Sequence, residues 1–182
     1  MGRAFVNETD AEFQDDEIPE IKIPLPNGAH NYMTPAGADR LRRELKELNL
    51  TDRPRLSAEL EGLMRGDSNT ERDARATARR RLAEVDRRIE YLSRMNALLE
   101  VVNVPAGVRD RVSFGTTVTT QSGAIEKVYT IVGVDESDPE HGRISWVSPL
   151  ARALVGSRLG DRVTARLPSG DVEIRITAIS GA

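Results

Sequence analysis

Residues 82–99, Leu-Ala-Glu-Val-Asp-Arg-Arg-Ile-Glu-Tyr-Leu-Ser-Arg-Met-Asn-Ala-Leu-Leu, decide the fold of this chain. Six residues on one predicted helix face are separated by intervals that alternate between three and four residues. Such intervals are typical of the apolar seam of a coiled coil. Charged side chains, many of them arginines, fill the remaining positions and predict a solvated face. The predicted seam positions are Leu82, Val85, Ile89, Leu92, Asn96 and Leu99.

A partner helix is expected earlier in the chain. Thr34 is a suitable N-cap and Pro35 suits the first helical position. Pro54 lacks a backbone donor, so we expect it to kink or restart this helix. A polar turn, Gly66–Glu71, separates the two helices, and Thr70 is the predicted N-cap of the second. The leucines that form the apolar stripe of the first helix are Leu41, Leu45, Leu48, Leu56, Leu60 and Leu63.

Residues 33–102 are therefore predicted to form an antiparallel coiled-coil arm. Each helix has about thirty residues and would reach roughly 45 Å at 1.5 Å per residue. That length exceeds what a compact domain of this size can enclose, so we expect the arm to project.

The C-terminal part, residues 103–182, changes to a period of two and predicts a small, mainly antiparallel β domain. One short helix is expected over residues 149–155, capped by Ser148 and stopped by Gly156. The fold class is thus α+β. The predicted strands cover residues 117–121, 127–134, 143–147, 161–167 and 172–179.

Residues 1–32 combine seven acidic residues with prolines at 19, 24 and 26. Acid excess with proline disfavours a packed core, and an irregular tail is expected. Ile18, Ile21, Ile23 and Leu25 could still lie along a groove as an extended segment. The N-terminus lacks an apolar signal region, no apolar run is long enough for a membrane span, and a cytoplasmic protein is expected.

Several kinds of chemistry are excluded by the residues themselves. The chain has no cysteine, which rules out disulfides and thiolate metal sites. His30 and His141 lack partners at metal-ligand spacing. There is no glycine-rich phosphate loop, and acids interleave with the arginines, which argues against a self-sufficient nucleic-acid surface. Nothing in the sequence builds a complete active site, so we do not expect an enzyme.

Asp67 and Glu71 stand at the predicted tip of the arm and have two interpretations. Turn and N-cap positions commonly take such residues, and the helix dipole favours acids there. Alternatively, two projecting carboxylates could complete a metal site on another molecule, because Mg²⁺ is often held by one or two carboxylates plus waters and phosphates.

The chain resembles the Gre family of bacterial transcript cleavage factors over about residues 32–179. The arm contributes Tyr32-Met33-Thr34-Pro35-x-Gly37, Arg53-Pro54, Gly66-Asp67 and Asp86-Arg87-Arg88-Ile89-x-Tyr91-Leu92. The β domain contributes Phe114-Gly115-x-x-Val118 and, as the most specific matches, Tyr129-x-Ile131-Val132-Gly133-x-Asp135-Glu136 and Ser148-Pro149-Leu150-Ala151-Arg152-Ala153-Leu154-Val155-Gly156.

This resemblance implies an FKBP-like C-terminal domain that docks at the rim of the RNA polymerase secondary channel while the arm enters the channel. Asp67 and Glu71 would then coordinate Mg²⁺ together with the polymerase site and stimulate cleavage of backtracked RNA, so the RNA 3′ end is touched only indirectly. The implied docking residues are Ser148, Pro149, Leu150, Ala151 and Arg152. No cofactor is expected on the protein alone, and a monomer is expected.

The tip departs from the Gre pattern, which usually reads Gly-Asp-x-x-Glu-Asn followed closely by an aromatic residue. Here three residues separate Asp67 from Glu71, and Arg72 stands in place of the Asn. A non-cleaving regulator that occupies the channel is therefore the first alternative. A peptidyl-prolyl isomerase is a more remote one, because the β domain offers only Phe114, Tyr129 and Trp146 as aromatics. A plain coiled-coil interaction module is the last.

Overall fold

The computed structural model describes residues 21–64, 69–168 and 170–181, with the side chains of Asn69 and Glu71 outside that description. A helical arm is followed by a β domain, which confirms the α+β prediction. The helices are α1 (Pro35–Glu47), α2 (Arg53–Leu63), α3 (Asn69–Ala97) and α4 (Pro149–Leu154). The strands are β1 (Asn31–Met33), β2 (Leu99–Val101), β3 (Gly107–Val108), β4 (Thr116–Ser122), β5 (Ile125–Val132), β6 (Arg143–Ser145), β7 (Arg162–Leu167) and β8 (Gly170–Gly181).

The arm is an antiparallel helical hairpin in which α1 and α2 pack along α3. Side-chain contacts join Glu44 to Arg88, Arg53 to Asp86, and Met64 to Arg79. Residue numbers rise along α1 and α2 as they fall along α3, so the two sides run antiparallel. Leucines and one alanine form the buried seam, as the heptad pattern predicts. The buried seam residues are Leu41, Leu56, Ala78 and Leu92.

The predicted seam is wrong at one position near the base of α3. Asn96 is exposed, whereas its neighbour Met95 is completely buried among the apolar residues of the arm base. At the base of the arm α3 packs against β1 and the start of α1 as well, and Met95 belongs to the apolar cluster that contains Met33, Ala38 and Leu41. Met95 lies about one turn after Leu92 on the same face.

A π-helical segment, Leu48–Asp52, joins α1 to α2 where a kink was expected. Arg53 N–H donates to the Leu48 carbonyl, five residues back. This wider turn accommodates Pro54, whose ring would clash with a carbonyl in a regular helix. The π-helical turn contains one more residue than an α-helical turn. It therefore explains the spacing of the leucine stripe, in which Leu48 and Leu56 are eight positions apart, one more than a heptad. Both halves of the stripe therefore face α3.

Two short parallel strands close the base of the arm. β1 pairs with β2, with Asn31 opposite Leu99 and Met33 opposite Val101. β1 includes Asn31 and Tyr32, which fall within the predicted irregular tail. The preceding residues Ile23 and Leu25 are half-buried against the apolar cluster of the arm base, so this part of the tail docks on the arm.

The β domain is built around the long strand β8. The order is β3-β8-β4-β5-β6, with β7 also paired to β8. All neighbours are antiparallel except β5 and β6, which are parallel. Each predicted strand is present with shifted ends, and Gly123, with φ +59°, makes the β4–β5 turn that only glycine adopts easily. The core residues include Val112, Val118, Ile131, Ala151, Leu154, Ile176 and Ile179.

No helix within the described ranges is long and apolar enough to cross a membrane.

Candidate functional site

The predicted carboxylate pair, Asp67 and Glu71, belongs to the polar turn that the sequence predicts between the two helices of the arm. Asp67 lies outside the described residues. Glu71 is in the backbone of α3, but its side chain is also outside the description. Because α3 begins at Asn69, Thr70 lies within the helix rather than at the predicted N-cap. The pairing of Asp67 with Glu71 therefore stays a prediction.

The second predicted site is the short helix α4. Ser148 caps it as expected, because its Oγ accepts the Ala151 N–H at 3.2 Å. Ala151 and Leu154 are completely buried in the β-domain core, whereas Pro149 and Arg152 are exposed. Leu150 lies half-buried beside them. Packing of Ala151 and Leu154 in the core thus fixes the helix. Pro149 and Arg152 face solvent, next to the exposed apolar side chain of Val155.

The three aromatic residues of the β domain do not share one pocket. Phe114 and Trp146 lie against Tyr32 at the base of the arm, with ring centroids 6.1 Å and 5.4 Å from it. Tyr129 instead lines a cavity of about 270 Å³ with Leu150 and residues of β8. An aromatic-lined proline site is therefore not assembled among the described residues.

A joint between the arm and the β domain was not predicted. Glu136, whose side chain is completely buried, accepts a hydrogen bond from the Thr34 N–H at 2.9 Å and another from the Thr34 hydroxyl. Asp135, its neighbour, accepts a hydrogen bond from the Tyr91 hydroxyl at 2.6 Å. Two consecutive acids of the β domain thus hold α1 and α3. The sequence signal was Thr34-Pro35-x-Gly37, an N-cap without an acid three residues later.

The electrostatics of the joint favour neutral Tyr91. Partial burial is the main cause that raises the pKa of the Tyr91 phenol well above its ordinary value, and the hydrogen bond and charge of Asp135 add to it. Arg88, whose charge lies 5.4 Å from the Tyr91 ring centre, partly opposes this. The pKa of Arg88 is itself raised, chiefly by its hydrogen bond to Glu44.

Neither histidine adjoins a group of metal-binding side chains. His141 Nδ1 lies 2.7 Å from Asp138 Oδ2, and this contact lowers the pKa of the exposed Asp138 carboxyl. His30 lies 3.5 Å from Glu100. Across residues 21–64, 69–168 and 170–181 no cluster of three or more His, Cys, Asp or Glu side chains could hold a metal ion.

Comparison with known proteins covers the arm and the β domain separately. A family model described as "Transcription elongation factor, N-terminal" matches residues 31–101, and one described as "Transcription elongation factor, GreA/GreB, C-term" matches residues 107–181. Among solved structures, GreA factor homolog 1 (Gfh1) of Thermus thermophilus is 22% identical, with 84% of this chain and 99% of that chain covered. The TM-score of that match is 0.38.

Two curated relatives match this chain over almost their whole length. Transcription elongation factor GreA of Wolinella succinogenes is 36% identical over 150 residues, which are 81% of this chain and 92% of the relative. Transcription elongation factor GreB of Neisseria meningitidis serogroup A is 37% identical over 151 residues, which are 82% and 93%. On this evidence the chain belongs to the GreA/GreB family of transcription elongation factors.

Proposed function

We propose that this protein binds bacterial RNA polymerase, with its arm in the secondary channel and its β domain at the channel rim. The supporting observation is that the match to named elongation factors runs through both the arm and the β domain, at 36% identity over 150 residues. The shape agrees with the proposal, since α3 alone is 29 residues long and spans roughly 43 Å. Such a partner would place the protein in the cytoplasm.

The rim contact is assigned to residues 148–152. Burial of Ala151 and Leu154 fixes α4, so that Pro149 and Arg152 stand in a defined position before any partner binds. Preorganised side chains lose less conformational entropy on binding, which favours this surface for docking. The proposed fold of the β domain is FKBP-like, with α4 against its sheet.

Cleavage of backtracked RNA is the proposed activity, and the catalytic groups would be those of the polymerase. Asp67 and Glu71 would act as auxiliary carboxylates toward a Mg²⁺ ion that the polymerase and its substrate also hold, because two carboxylates alone leave most ligand positions empty. That ion would stabilise negative charge in phosphodiester hydrolysis. The factor itself is proposed to be a monomer with no enzymatic activity and no bound cofactor.

A second candidate is a non-cleaving regulator that occupies the same channel. The observation that favours it is the spacing at the tip, with three residues between Asp67 and Glu71 and an arginine at position 72. An error of about 1 Å in the placement of a catalytic group can reduce rates by about 100-fold.

The test is RNA cleavage in stalled, backtracked complexes with and without the full chain. We expect stimulated cleavage that Glu71→Ala abolishes and that Asp73→Ala, a change of an exposed acid two residues further along α3, leaves intact. Binding to polymerase without stimulated cleavage would favour the channel-occupying regulator. Cleavage that survives Glu71→Ala would exclude the role assigned to Glu71.

Binding is measured separately. Arg152→Ala is expected to weaken association with core polymerase, whereas Arg166→Ala, an exposed arginine on β7, is not. A chain that fails to bind core polymerase would remove the whole proposal and leave a plain coiled-coil module. A proline-isomerisation assay on the full chain tests the isomerase alternative, which the separation of Phe114 and Trp146 from Tyr129 disfavours.

A further inference from the structure

The start of α1 carries a capping arrangement whose parts come from two domains. In an ordinary capping box, the N-cap hydroxyl binds the N3 backbone N–H, and an acid at N3 reaches back to the N-cap backbone N–H. Thr34 supplies the first half, since its Oγ1 accepts the Gly37 N–H at 3.1 Å. The second half comes from Glu136, 102 residues away, whose Oε2 accepts the Thr34 N–H at 2.9 Å.

Gly37 provides the space for this distant acid. A Cβ atom at Gly37 would lie 2.2 Å from Oε1 of Glu136 and 2.3 Å from its carboxyl carbon. The side chain that a capping box would have at N3 is absent, and Glu136 occupies the position where it would lie. Two motifs that are far apart in sequence, Thr34-Pro35-x-Gly37 and Gly133-x-Asp135-Glu136, therefore form one site.

The Glu136 carboxylate is held from several directions. Gly133 N–H donates to Oε2 at 3.1 Å, and guanidinium nitrogens of Arg40 and Arg143 lie 3.7 Å from Oε1. Arg40 belongs to α1 of the arm and Arg143 to β6 of the β domain. Buried carboxylates need such partners, and each of these also fixes the direction of the side chain.

The arm is held at two further places. Asp135 accepts the Tyr91 hydroxyl of α3 at 2.6 Å, on the helix opposite α1. Tyr32 of β1 packs edge-on against Trp146, with ring centroids 5.4 Å apart. One attachment would allow the arm to rotate about it, whereas contacts to both helices restrict that rotation.

We propose that Asp135 and Glu136 are positioning residues that set the direction in which the arm leaves the β domain. Glu136 fixes α1 through Thr34, and Asp135 fixes α3 through Tyr91. Neither residue lies near the tip, so their effect there is exerted through the orientation of the arm. The consequence for polymerase rests on the proposed function, but the orientation itself is a property of the protein alone.

The test measures a distance within the full chain. The sequence contains no cysteine, so exposed Ala76 on the arm and exposed Ala124 in the β4–β5 turn can be replaced by cysteine and spin-labelled without further changes. We expect a narrow distance distribution in the parent. In the double variant with Glu136→Gln and Tyr91→Phe, we expect a broad distance distribution in place of the narrow peak, because both attachments are weakened.

Matched variants separate positioning from general destabilisation. Glu140→Gln changes an exposed acid of the same loop and should keep the narrow peak. Thr34→Ser keeps the hydroxyl and should also keep it, whereas Thr34→Val should broaden it. Circular dichroism establishes that each variant is folded. If Glu136→Gln does not fold, Tyr91→Phe and Thr34→Val carry the test, and an unchanged peak in both overturns the proposal.

A second readout connects the joint to polymerase. With Glu136→Gln and Tyr91→Phe combined, affinity for core polymerase should stay near the parent value, since α4 is untouched. The effect on elongation at saturating protein should fall about tenfold, because the tip is misplaced. A parent that does not bind polymerase would contradict the proposed function and leave the distance result unaffected. A combined variant with a broad distribution and full effect would contradict the link between arm direction and function.

Discussion

Gly37 occupies a helix position where alanine would ordinarily be favoured by about 1 kcal/mol. The clash with the buried Glu136 carboxyl reverses this, because that group cannot move without losing its hydrogen bonds to Thr34 and Gly133. Gly37→Ala should therefore lower the free energy of unfolding by about 1–3 kcal/mol in urea titration. Gly62→Ala is the matched control in α2.

A Cβ atom at Gly62 would have no neighbour within 4 Å, and the residue is exposed. Gly62→Ala should accordingly raise the free energy of unfolding by about 0.5–1 kcal/mol. Equal effects at Gly37 and Gly62 would contradict the close packing of Glu136 against α1.

The raised pKa of the Tyr91 phenol predicts how the free energy of unfolding changes at alkaline pH. The unfolded chain ionises this phenol near its ordinary pKa of about 10, whereas burial and Asp135 delay ionisation in the folded chain. The stabilisation is thus complete below that ordinary pKa and is lost as the pH rises toward the folded pKa. Urea titrations between about pH 8 and pH 11 should show a steeper loss for the parent than for Tyr91→Phe. Parallel curves would exclude this coupling.

At the scale of elements, the ion pair between Glu44 and Arg88 ties α1 to α3. Arg88 donates from Nε to Glu44 Oε1 at 2.6 Å and from Nη2 to Glu44 Oε2 at 3.0 Å, and both side chains are about half exposed. A double-mutant cycle with Glu44→Ala and Arg88→Ala should give a coupling of about 0.5–1 kcal/mol. The single-contact, more exposed pair Arg162–Glu173 should give less. The expectation would be contradicted if the coupling energy of Glu44 and Arg88 were no larger than that of Arg162 and Glu173.

The helices show which features of an element follow from local sequence. The leucine stripe, the Thr34 and Ser148 caps and the β-strands were predictable because each depends on residues a few positions apart. The π-helical segment was missed, although the eight-residue gap between Leu48 and Leu56 contained its signal. Asn96 was wrongly placed in the seam because the burial of Met95 depends on Met33 and Ala38 at the arm base, which the heptad pattern of α3 does not encode.

At the scale of the whole molecule, the parts that meet at the arm base were the least predictable. The pairing of β1 with β2 and the contact between Glu136 and Thr34 join residues that are far apart in sequence. No local pattern specifies them. For the candidate site, the α4 cap was predicted correctly, whereas the assignment of Asp67 and Glu71 came from family resemblance and remains a prediction.

The segment before β1 also contributes at this scale. Ile23 and Leu25 are half-buried against the arm base, although the family match begins only at residue 31. Replacing both with serine should lower the free energy of unfolding by about 2 kcal/mol. Lys22→Ser, an exposed neighbour, should change it by less than about 0.5 kcal/mol. Equal effects would show that the segment contributes nothing to stability.

The cap that Glu136 gives to α1 has a consequence for biosynthesis. The residue that completes the first turn of the arm is translated 102 residues after Thr34. At about 5–20 residues per second, a ribosome needs roughly 5–20 s to cover that interval. Throughout this time the nascent arm exists with an unfinished base, and its final contact is a non-local one of the kind that slows folding. Completion of the arm is therefore the event that couples its folding to that of the β domain.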